Sequence, residues 1–399
     1  MKLTLGKSLR NFAGATALLA LGSCSSVPNT ASFTPNESLP PYTQDSYAEY
    51  ISETRDWLSK NRAFISEDLV AELNANSPFE KRPDHPTNKG ILLIHGLADS
   101  PYSFHDVADQ LVQQGYLVRS LLIPGHGSRP ADLMLPEYED WKLLVEHHAA
   151  LMKQEVDEIW MGGFSTGANL VTNYALQDDD ISGLLLFSPA FKPKSTTMIQ
   201  LAKWVKEVMP WADAELEDNF IRYNSLPTHG GALYAETFNV VTDRLEGYGE
   251  YNKPVFIALA EDDSVVDTDN IRHIFDTQFT HPDSRMVWLG DPIKENPRID
   301  QFPMTLPKQR ISTGSHMAPL FSPDNPYYGT NASIRICENG QTPEQQDACL
   351  RGAKIWYSHY GYVEDSKIHG RLTYNPYFNE MIGSIYETLG IEDQVASQN

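Results

Sequence analysis

Basic residues and cysteine are both scarce in this sequence. Its 399 residues include 31 Lys or Arg against 53 Asp or Glu, for a formal net charge of -22, and only 3 Cys. A protein that binds nucleic-acid phosphates needs a surplus of Lys and Arg, so this balance argues against a nucleic-acid partner. Hydrophobic residues make up 41% of the chain, enough to bury a substantial core, which argues against general disorder.

The apolar stretch near the N-terminus, residues 12–21, is too short to cross a bilayer, which needs about 20 apolar residues. A basic head precedes it and small residues follow it, the pattern of a secretory signal. Residues 21–24, Leu-Gly-Ser-Cys, also resemble the lipobox of bacterial lipoproteins. The resemblance implies a signal peptide over residues 1–23 and acylation of Cys24.

Residues 24–43 are rich in Ser, Pro, Asn and Thr, and we expect them to form a flexible tether. Several acyl chains on Cys24 would anchor the protein firmly, because each buried CH₂ adds about 0.8 kcal/mol. In the lipoproteins that this segment resembles, an Asp after the Cys favours the inner membrane. Ser25 occupies that position here. The expected location is therefore the bacterial envelope, on the outer membrane, facing the periplasm or the cell surface.

The two remaining cysteines, Cys337 and Cys349, lie in a polar segment. Export to an oxidising compartment would let them close a small loop, so a disulfide is expected. A metal site would need further Cys or His ligands at closer spacing, and none is predicted. No feature of the sequence predicts an oligomeric state.

The middle of the chain alternates between short apolar runs and amphipathic stretches. Helical spacing over residues 47–73 predicts an opening helix or two. Strands are then predicted at 91–94, 116–123, 158–162 and 183–187, with helices at 104–114, 138–154 and 165–176 between them. Strands separated by helices of this length indicate parallel βαβ units, so the expected fold is α/β with a mostly parallel, helix-covered sheet.

The strand pattern stops over residues 191–251, where aromatic residues such as Trp204 and Phe220 lie in helical stretches. We interpret this segment as a helical cap, inserted between core parts at 44–190 and 252–399. Its aromatic residues suggest an apolar acyl pocket, although such residues are more often simply part of the core. Strands resume at 254–260 and 285–289, and a closing helix is expected at 379–389. Irregular insertions are expected at about 291–310 and 321–374.

A candidate nucleophile lies between a predicted strand and a predicted helix. Residues 163–167 read Gly-Phe-Ser-Thr-Gly, the Gly-x-Ser-x-Gly pattern in the strand-turn-helix context that lifts a serine hydroxyl out of the backbone. Ser165 is therefore the predicted nucleophile. The turn would also direct the backbone N–H of Thr166 toward a developing oxyanion.

A serine nucleophile needs a base and an acid that orients the base, expected here in the order Ser, acid, His. Residues 261–263, Glu-Asp-Asp, end a predicted strand, and the residue pattern alone does not choose among the three carboxylates. Five histidines follow this loop. His316 is favoured because it lies in a small-residue loop after the last strand. The others are poorly placed or have an ordinary structural explanation; they are His273, His281, His359 and His369.

The second oxyanion donor is expected in the turn after the first strand, where His95-Gly96-Leu97 leaves the N–H of Leu97 free to point inward. His95 is interpreted as a structural hydrogen-bonding residue. His126, in a Pro-Gly-His-Gly run, is interpreted as a loop organiser.

At this point the sequence resembles the α/β-hydrolase superfamily, in its branch of bacterial carboxylesterases and monoacylglycerol lipases. The resemblance rests on residues 91–102, 124–127, 139–141 and 163–167. That branch usually carries Gly-x-x-Asp-x-x-Val at the acid loop, which implies Asp263 as the acid here, although Ala260 replaces the Gly. The alternatives are Asp262 and then Asp267.

The resemblance implies a serine hydrolase that cleaves carboxylic esters without a metal or organic cofactor. Ser165, His316 and Asp263 would form its triad, and Leu97 and Thr166 its oxyanion hole. Lipid or small-molecule esters are the expected substrates. An aminopeptidase of the same fold is the enzymatic alternative, and a catalytically silent envelope lipoprotein is the non-enzymatic one.

Overall fold

A computed structural model describes residues 31–391. The predicted signal peptide, Cys24 and residues 24–30 of the predicted tether lie outside the described residues. Within residues 31–391, no helix combines the length and hydropathy that a membrane crossing requires.

A central sheet of eight strands organises the core. Its strand order is β1-β3-β2-β4-β5-β8-β9-β10, and every neighbouring pair is parallel except β1 with β3. Two short two-stranded sheets, β6-β7 and β11-β12, lie outside it. The strands are β1 (Phe79–Lys81), β2 (Lys89–Ile94), β3 (Leu117–Leu121), β4 (Glu158–Phe164), β5 (Ile181–Phe187), β6 (Trp211–Asp213), β7 (Leu226–Pro227), β8 (Val255–Ala260), β9 (Arg285–Leu289), β10 (Ile299–Phe302), β11 (Trp356–Ser358) and β12 (His369–Arg371).

Helices cover both faces of the sheet, which explains why its strands are continuously apolar. Successive side chains of a strand point to opposite faces, so Leu92 and Ile94 pack in one core cluster and Ile91 and Leu93 in the other. The helices are α1 (Tyr47–Asn61), α2 (Leu69–Asn76), α3 (His105–Gln113), α4 (Tyr138–Lys153), α5 (Thr166–Ala175), α6 (Thr196–Val205), α7 (Thr228–Tyr248), α8 (Thr268–Thr277), α9 (Pro343–Leu350) and α10 (Phe378–Thr388). The predicted α/β fold with a mostly parallel, helix-covered sheet is confirmed.

Two edge strands were missed by the sequence patterns. β1 has only three residues, all half-buried, and β10 lies in the stretch 291–310 that was expected to be irregular. Asp300 and Gln301 of β10 are polar and half-exposed. An edge strand of this kind lacks the apolar run that marks a strand buried on both faces.

The expectation of a flexible tether is wrong for residues 31–43, because polar and aromatic contacts hold this segment against the core. Asn36 donates to both carboxylate oxygens of Asp132 at 2.7 Å, once from its backbone N–H and once from its amide. Phe33 meets the Trp211 ring edge-on at 5.1 Å, and Tyr42 donates to Asp140 at 2.5 Å. Composition alone does not reveal such long-range partners.

The predicted cap segment contains α6, the antiparallel pair β6-β7 and α7. A buried ion pair joins Arg62, at the end of α1, to Glu72 of α2. The same guanidinium donates to the carbonyl of Phe220 at 2.8 Å, and the Asn76 amide donates to that carbonyl at 2.7 Å. The cap is thus fastened to the core at Phe220, while its exact boundaries stay a prediction.

The late insertion, residues 321–374, holds α9 and the β11-β12 sheet. The predicted disulfide between Cys337 and Cys349 is confirmed. Both cysteines are buried beside Ile355 in a small apolar cluster. The insertion is therefore a folded unit built on the core.

Candidate active site

Ser165 lies at the sharp turn from β4 into α5, with φ 53° and ψ -115°. The two flanking glycines make this turn possible. A Cβ on Gly163 would lie 2.4 Å from the backbone N of Ala168, and one on Gly167 would lie 2.0 Å from the carbonyl oxygen of Ile94. No side chain fits at either position, so the Gly-x-Ser-x-Gly pattern is a packing requirement as well as a motif.

Three side chains form one hydrogen-bonded chain. The Oγ of Ser165 lies 2.9 Å from Nε2 of His316, and Nδ1 of the same imidazole lies 2.6 Å from Oδ2 of Asp263. A carboxylate only accepts, so Nδ1 carries the proton and leaves Nε2 of the neutral ring as an acceptor for the serine hydroxyl. An alcohol in this setting can lose its proton to the imidazole as it attacks an electrophile.

The structure distinguishes Asp263 from the neighbouring carboxylates. Asp263 is fully buried, and its Oδ1 accepts from the backbone N–H groups of Val265 and Val266 at 2.7 and 3.1 Å. These bonds fix the carboxylate and leave Oδ2 for His316. Asp262 is less buried, and its burial raises its pKa. Asp267 serves elsewhere, since it accepts from the N–H of Asn270 at the start of α8.

The late insertion holds the loop that carries His316. The N–H of Ser312 donates to the carbonyl of Tyr357 at 2.8 Å, and the Thr313 hydroxyl accepts from the N–H of His359 at 2.9 Å. The hydroxyl of Ser315 donates to the carbonyl of Leu372. The residues just before His316 are thus tied to β11, to the residue after it and to the residue after β12.

None of the other four candidate histidines contacts Ser165 through a hydrogen bond among the described residues. His359 lies 2.9 Å from the Thr313 hydroxyl and His369 lies 3.4 Å from the Ser312 hydroxyl, so both support the loop. Burial lowers the pKa of both imidazoles. His273 lies on α8, and His281 accepts from the N–H of Asp283.

The two expected oxyanion donors flank the serine. In the described part of the chain, the N–H groups of Leu97 and Thr166 have no hydrogen-bond partner. A Cβ on Gly96 would lie 3.2 Å from Cβ of Ser165, so the loop before Leu97 touches the serine. The loop is anchored at Ala98, which has φ 60° and donates its N–H to Nε2 of His126 at 3.0 Å.

His95 and His126 brace this loop, in agreement with their structural interpretation. Nε2 of His95 accepts from the N–H of Ile123 at 3.1 Å. Burial lowers the pKa of His126 to about 4 and lowers that of His95 well below its usual value. Both rings are therefore neutral at physiological pH. A neutral ring can accept a hydrogen bond at Nε2, as each of these two does from a backbone N–H.

One buried carboxyl near the site was missed by the sequence reasoning. Asp99 accepts from the N–H of Ser100 at 2.9 Å, and burial raises its pKa to about 6 against the opposing influence of Ser103, Arg222 and His316. Its position two residues after Leu97 is the sequence signal that could have found it. The cap covers this loop, because the N–H of Tyr223 donates to the carbonyl of Ala98 at 2.7 Å.

The aromatic residues of the cap do not share one role. Tyr223 is buried and its ring stacks on His126, whereas Trp204 is 81% exposed. Trp204 is therefore not part of the buried core, and the apolar pocket stays a prediction. Helical spacing placed Trp204 in the cap but did not show which side of α6 faces the core.

Residues 85–286, about half of the chain, match the family model Hydrolase_4, described as serine aminopeptidase, S33. The chain belongs to the Hydrolase_4 family. The matched region contains Ser165, Asp263 and both oxyanion candidates. It ends before His316, so the loop that carries the imidazole lies outside the family match.

One relative of this Hydrolase_4 protein matches over a shorter stretch. The chain is 31% identical over 101 residues to a thermostable monoacylglycerol lipase of Bacillus sp. (strain H-257), covering 25% of this chain and 40% of the relative. The chain thus spans less than half the length of that relative.

Among solved structures, it is similar to a chain from a study of two metagenome-derived lipolytic enzymes, LipS and LipT, with 20% identity, a TM-score of 0.48 and coverage of 54% of this chain and 88% of the other. A monoacylglycerol lipase of Paleococcus ferrophilus gives 17% identity, a TM-score of 0.43 and coverage of 53% and 88%.

The tight turn at Ser165 predicts the effect of Gly167→Ala. The new Cβ would meet the backbone oxygen of Ile94, which cannot swing away, so we expect the free energy of unfolding to fall by about 2 kcal/mol or more. Urea denaturation measures this change. Gly383→Ala is the matched control, because apart from the neighbouring backbone of its own helix no atom lies within 4 Å of its Cβ, and alanine favours a helix by about 1 kcal/mol. Unchanged stability of Gly167→Ala would contradict the steric argument.

Proposed function

We propose that this protein is a serine hydrolase that cleaves carboxylic esters through an acyl-enzyme. The observation that carries the proposal is the unbroken hydrogen-bonded path from buried Asp263 through His316 to the hydroxyl of Ser165. Membership of the Hydrolase_4 family supports it. The path supplies a nucleophile, a base and an acid that fixes the tautomer of the base.

In the proposed mechanism, Ser165 attacks the acyl carbonyl while Nε2 of His316 takes the hydroxyl proton. The imidazolium then returns that proton to the leaving alcohol, and Asp263 stabilises the charged ring throughout. The N–H groups of Leu97 and Thr166 would hold the tetrahedral oxyanion, each worth about 3 kcal/mol by comparison with other oxyanion donors. Water activated by His316 releases the acyl group by the same steps. The scheme needs no metal and no organic cofactor.

A lipid ester is the proposed substrate class, from short or medium acyl esters to monoacylglycerols and lysophospholipids. The relative from Bacillus sp. is named a monoacylglycerol lipase, and its similarity covers a quarter of this chain. The aminopeptidase alternative is kept because the family description names a serine aminopeptidase. Ester and peptide substrates share the same attack on a carbonyl, so they must be separated by experiment.

The first test is hydrolysis of p-nitrophenyl esters of increasing acyl length. We expect turnover by the wild type, and a fall in kcat of about 10⁴-fold or more for Ser165→Ala, because triad residues act as a unit. Aminoacyl p-nitroanilides in parallel assays test the peptidase alternative. Activity that survives in Ser165→Ala would overturn the assignment. A folded wild type that cleaves neither substrate class would favour the silent scaffold.

The second test compares two neighbouring acids. We expect Asp263→Asn to lower kcat by about 10⁴-fold, because an amide at Oδ2 disfavours the tautomer in which Nδ1 of His316 carries the proton. Asp262→Asn is the matched control, since no hydrogen bond joins the Asp262 carboxylate to His316 in the described structure. Both variants are measured by kcat on the preferred ester. The reverse order of effects would move the acid to Asp262.

We also propose that Cys24 anchors the protein to a membrane through acyl chains. The lipobox-like residues 21–24 support this, and residues 25–30 are all that separates Cys24 from Ala31. Seven residues span at most about 25 Å, so the anchor lies within that distance of Ala31. The segment that begins there packs against Trp211, so the anchor would keep the cap near the membrane surface.

Mass spectrometry of the membrane fraction should detect a mature N-terminal Cys24 carrying acyl chains. Cys24→Ala should move the protein to the soluble fraction, since it removes the acylated group. Recovery of a wild-type mature protein in the soluble fraction with an unmodified N-terminus would contradict the proposed acylation of Cys24.

A further inference from the structure

A basic groove lies on the late insertion, outside the candidate active site. The cavity has a volume of about 740 Å³ and runs between residues 307–310 and the β11-β12 sheet. Four of its lining residues are cationic, and none of the lining residues is acidic. The cations are Lys308, Arg310, Lys354 and Lys367. In a chain with a net charge of -22, such a concentration of positive charge is unexpected.

Most of these cations are not neutralised by the protein. Among the described residues, Lys308, Arg310 and Lys354 have no carboxylate within 4.0 Å. Lys367 is the exception, because it pairs with Glu364 at 2.5 Å and lies over the ring of Trp356 at 3.5 Å. Unpaired like charges in one groove repel one another, and an anionic ligand would relieve that repulsion.

Arg310 differs from the three lysines of the groove in the geometry of its donors. Its Nε is buried, and its two terminal nitrogens have no hydrogen-bond acceptor among the described residues. A guanidinium presents its donors in a planar fork that fits the oxygens of a phosphate or a carboxylate.

Backbone strain marks the same groove. Five non-glycine residues between 31 and 391 have positive φ. Three belong to the candidate active site: Ser165, Ala98 of the oxyanion loop, and Ser188, whose hydroxyl donates to the carbonyl of His316. The other two, Arg310 at 56° and Ser366 at 63°, line the groove. Residues in this conformation concentrate at functional sites, where the surrounding structure holds them.

We propose that this groove binds a multivalent anion through its phosphate or carboxylate groups. Arg310 would take one anionic group in bidentate fashion, and Lys308 and Lys354 would act as point charges for others. Trp356, Tyr357 and Tyr374 provide an apolar wall for the uncharged part of the ligand. The site is separate from the ester chemistry proposed above, so either can fail without the other.

The test is isothermal titration calorimetry of the full chain with tripolyphosphate and, separately, with tricarballylate. We expect at least one of these probes to bind with a stoichiometry of one and to bind more weakly as salt is raised, because exposed charges are screened. Binding of only one probe identifies phosphate or carboxylate as the recognised group. Failure of both probes to bind at low salt overturns the proposal.

Variants locate the binding. The double variant Lys308→Gln, Lys354→Gln changes two exposed side chains and should fold normally, and Arg310→Gln removes the guanidinium. We expect each to weaken binding at least tenfold. Arg351→Gln is the matched control, because Arg351 lies in the same insertion, pairs with Asp347 and does not line the groove. Equal weakening by the control, or full affinity in the double variant, would show that the anion binds elsewhere.

Discussion

The architecture of the site depends on how closely the turn at Ser165 approaches the end of β2. Gly167 lies against the backbone of Ile94, with no room for a side chain, and this contact draws the start of α5 over the edge of the sheet. Backbone hydrogen bonds to the end of β5 and to the loop after it hold the strained serine. Its N–H donates to the carbonyl of Phe187 at 3.0 Å, and its carbonyl accepts from the N–H of Ala190 at 3.3 Å. Strain of this kind persists only where the surroundings fix it on several sides.

The parallel order of the strands brings the other groups of the site close to Ser165. β2, β4, β5 and β8 are neighbours in the order β2-β4-β5-β8, so the loops after them open at the same edge of the sheet. The loop after β2 carries Leu97 and the loop after β8 carries Asp263, one on each side of the serine. Functional sites of open α/β sheets form in this crevice because it gathers loops from distant parts of the chain.

The sequence patterns predicted what local rules control. Strands buried on both faces show as apolar runs, and the Gly-x-Ser-x-Gly turn has a steric signature, so the core and Ser165 were found from these alone. Features that depend on distant partners were not found. Edge strand β10 has no apolar pattern, and the packing of residues 31–43 depends on Asp132 and Trp211. The pattern also left three adjacent carboxylates open, because the contacts that distinguish Asp263 come from the folded loop and from His316, which is 53 residues away in the sequence.

The position of His316 depends on the late insertion and not on a local sequence motif. The imidazole must sit within hydrogen-bond distance of both Ser165 and Asp263, yet its loop is reached only after the long stretch that follows β9. Tyr357 holds the end of this long stretch in place through two backbone hydrogen bonds. Its N–H donates to the carbonyl of Arg310 and its carbonyl accepts from the N–H of Ser312, both at 2.8 Å. One residue of β11 therefore joins the wall of the basic groove to the start of the His316 loop. Because the insertion supplies both bonds, the position of the His316 imidazole depends on the folding of the last third of the chain as well as on the turn at Ser165.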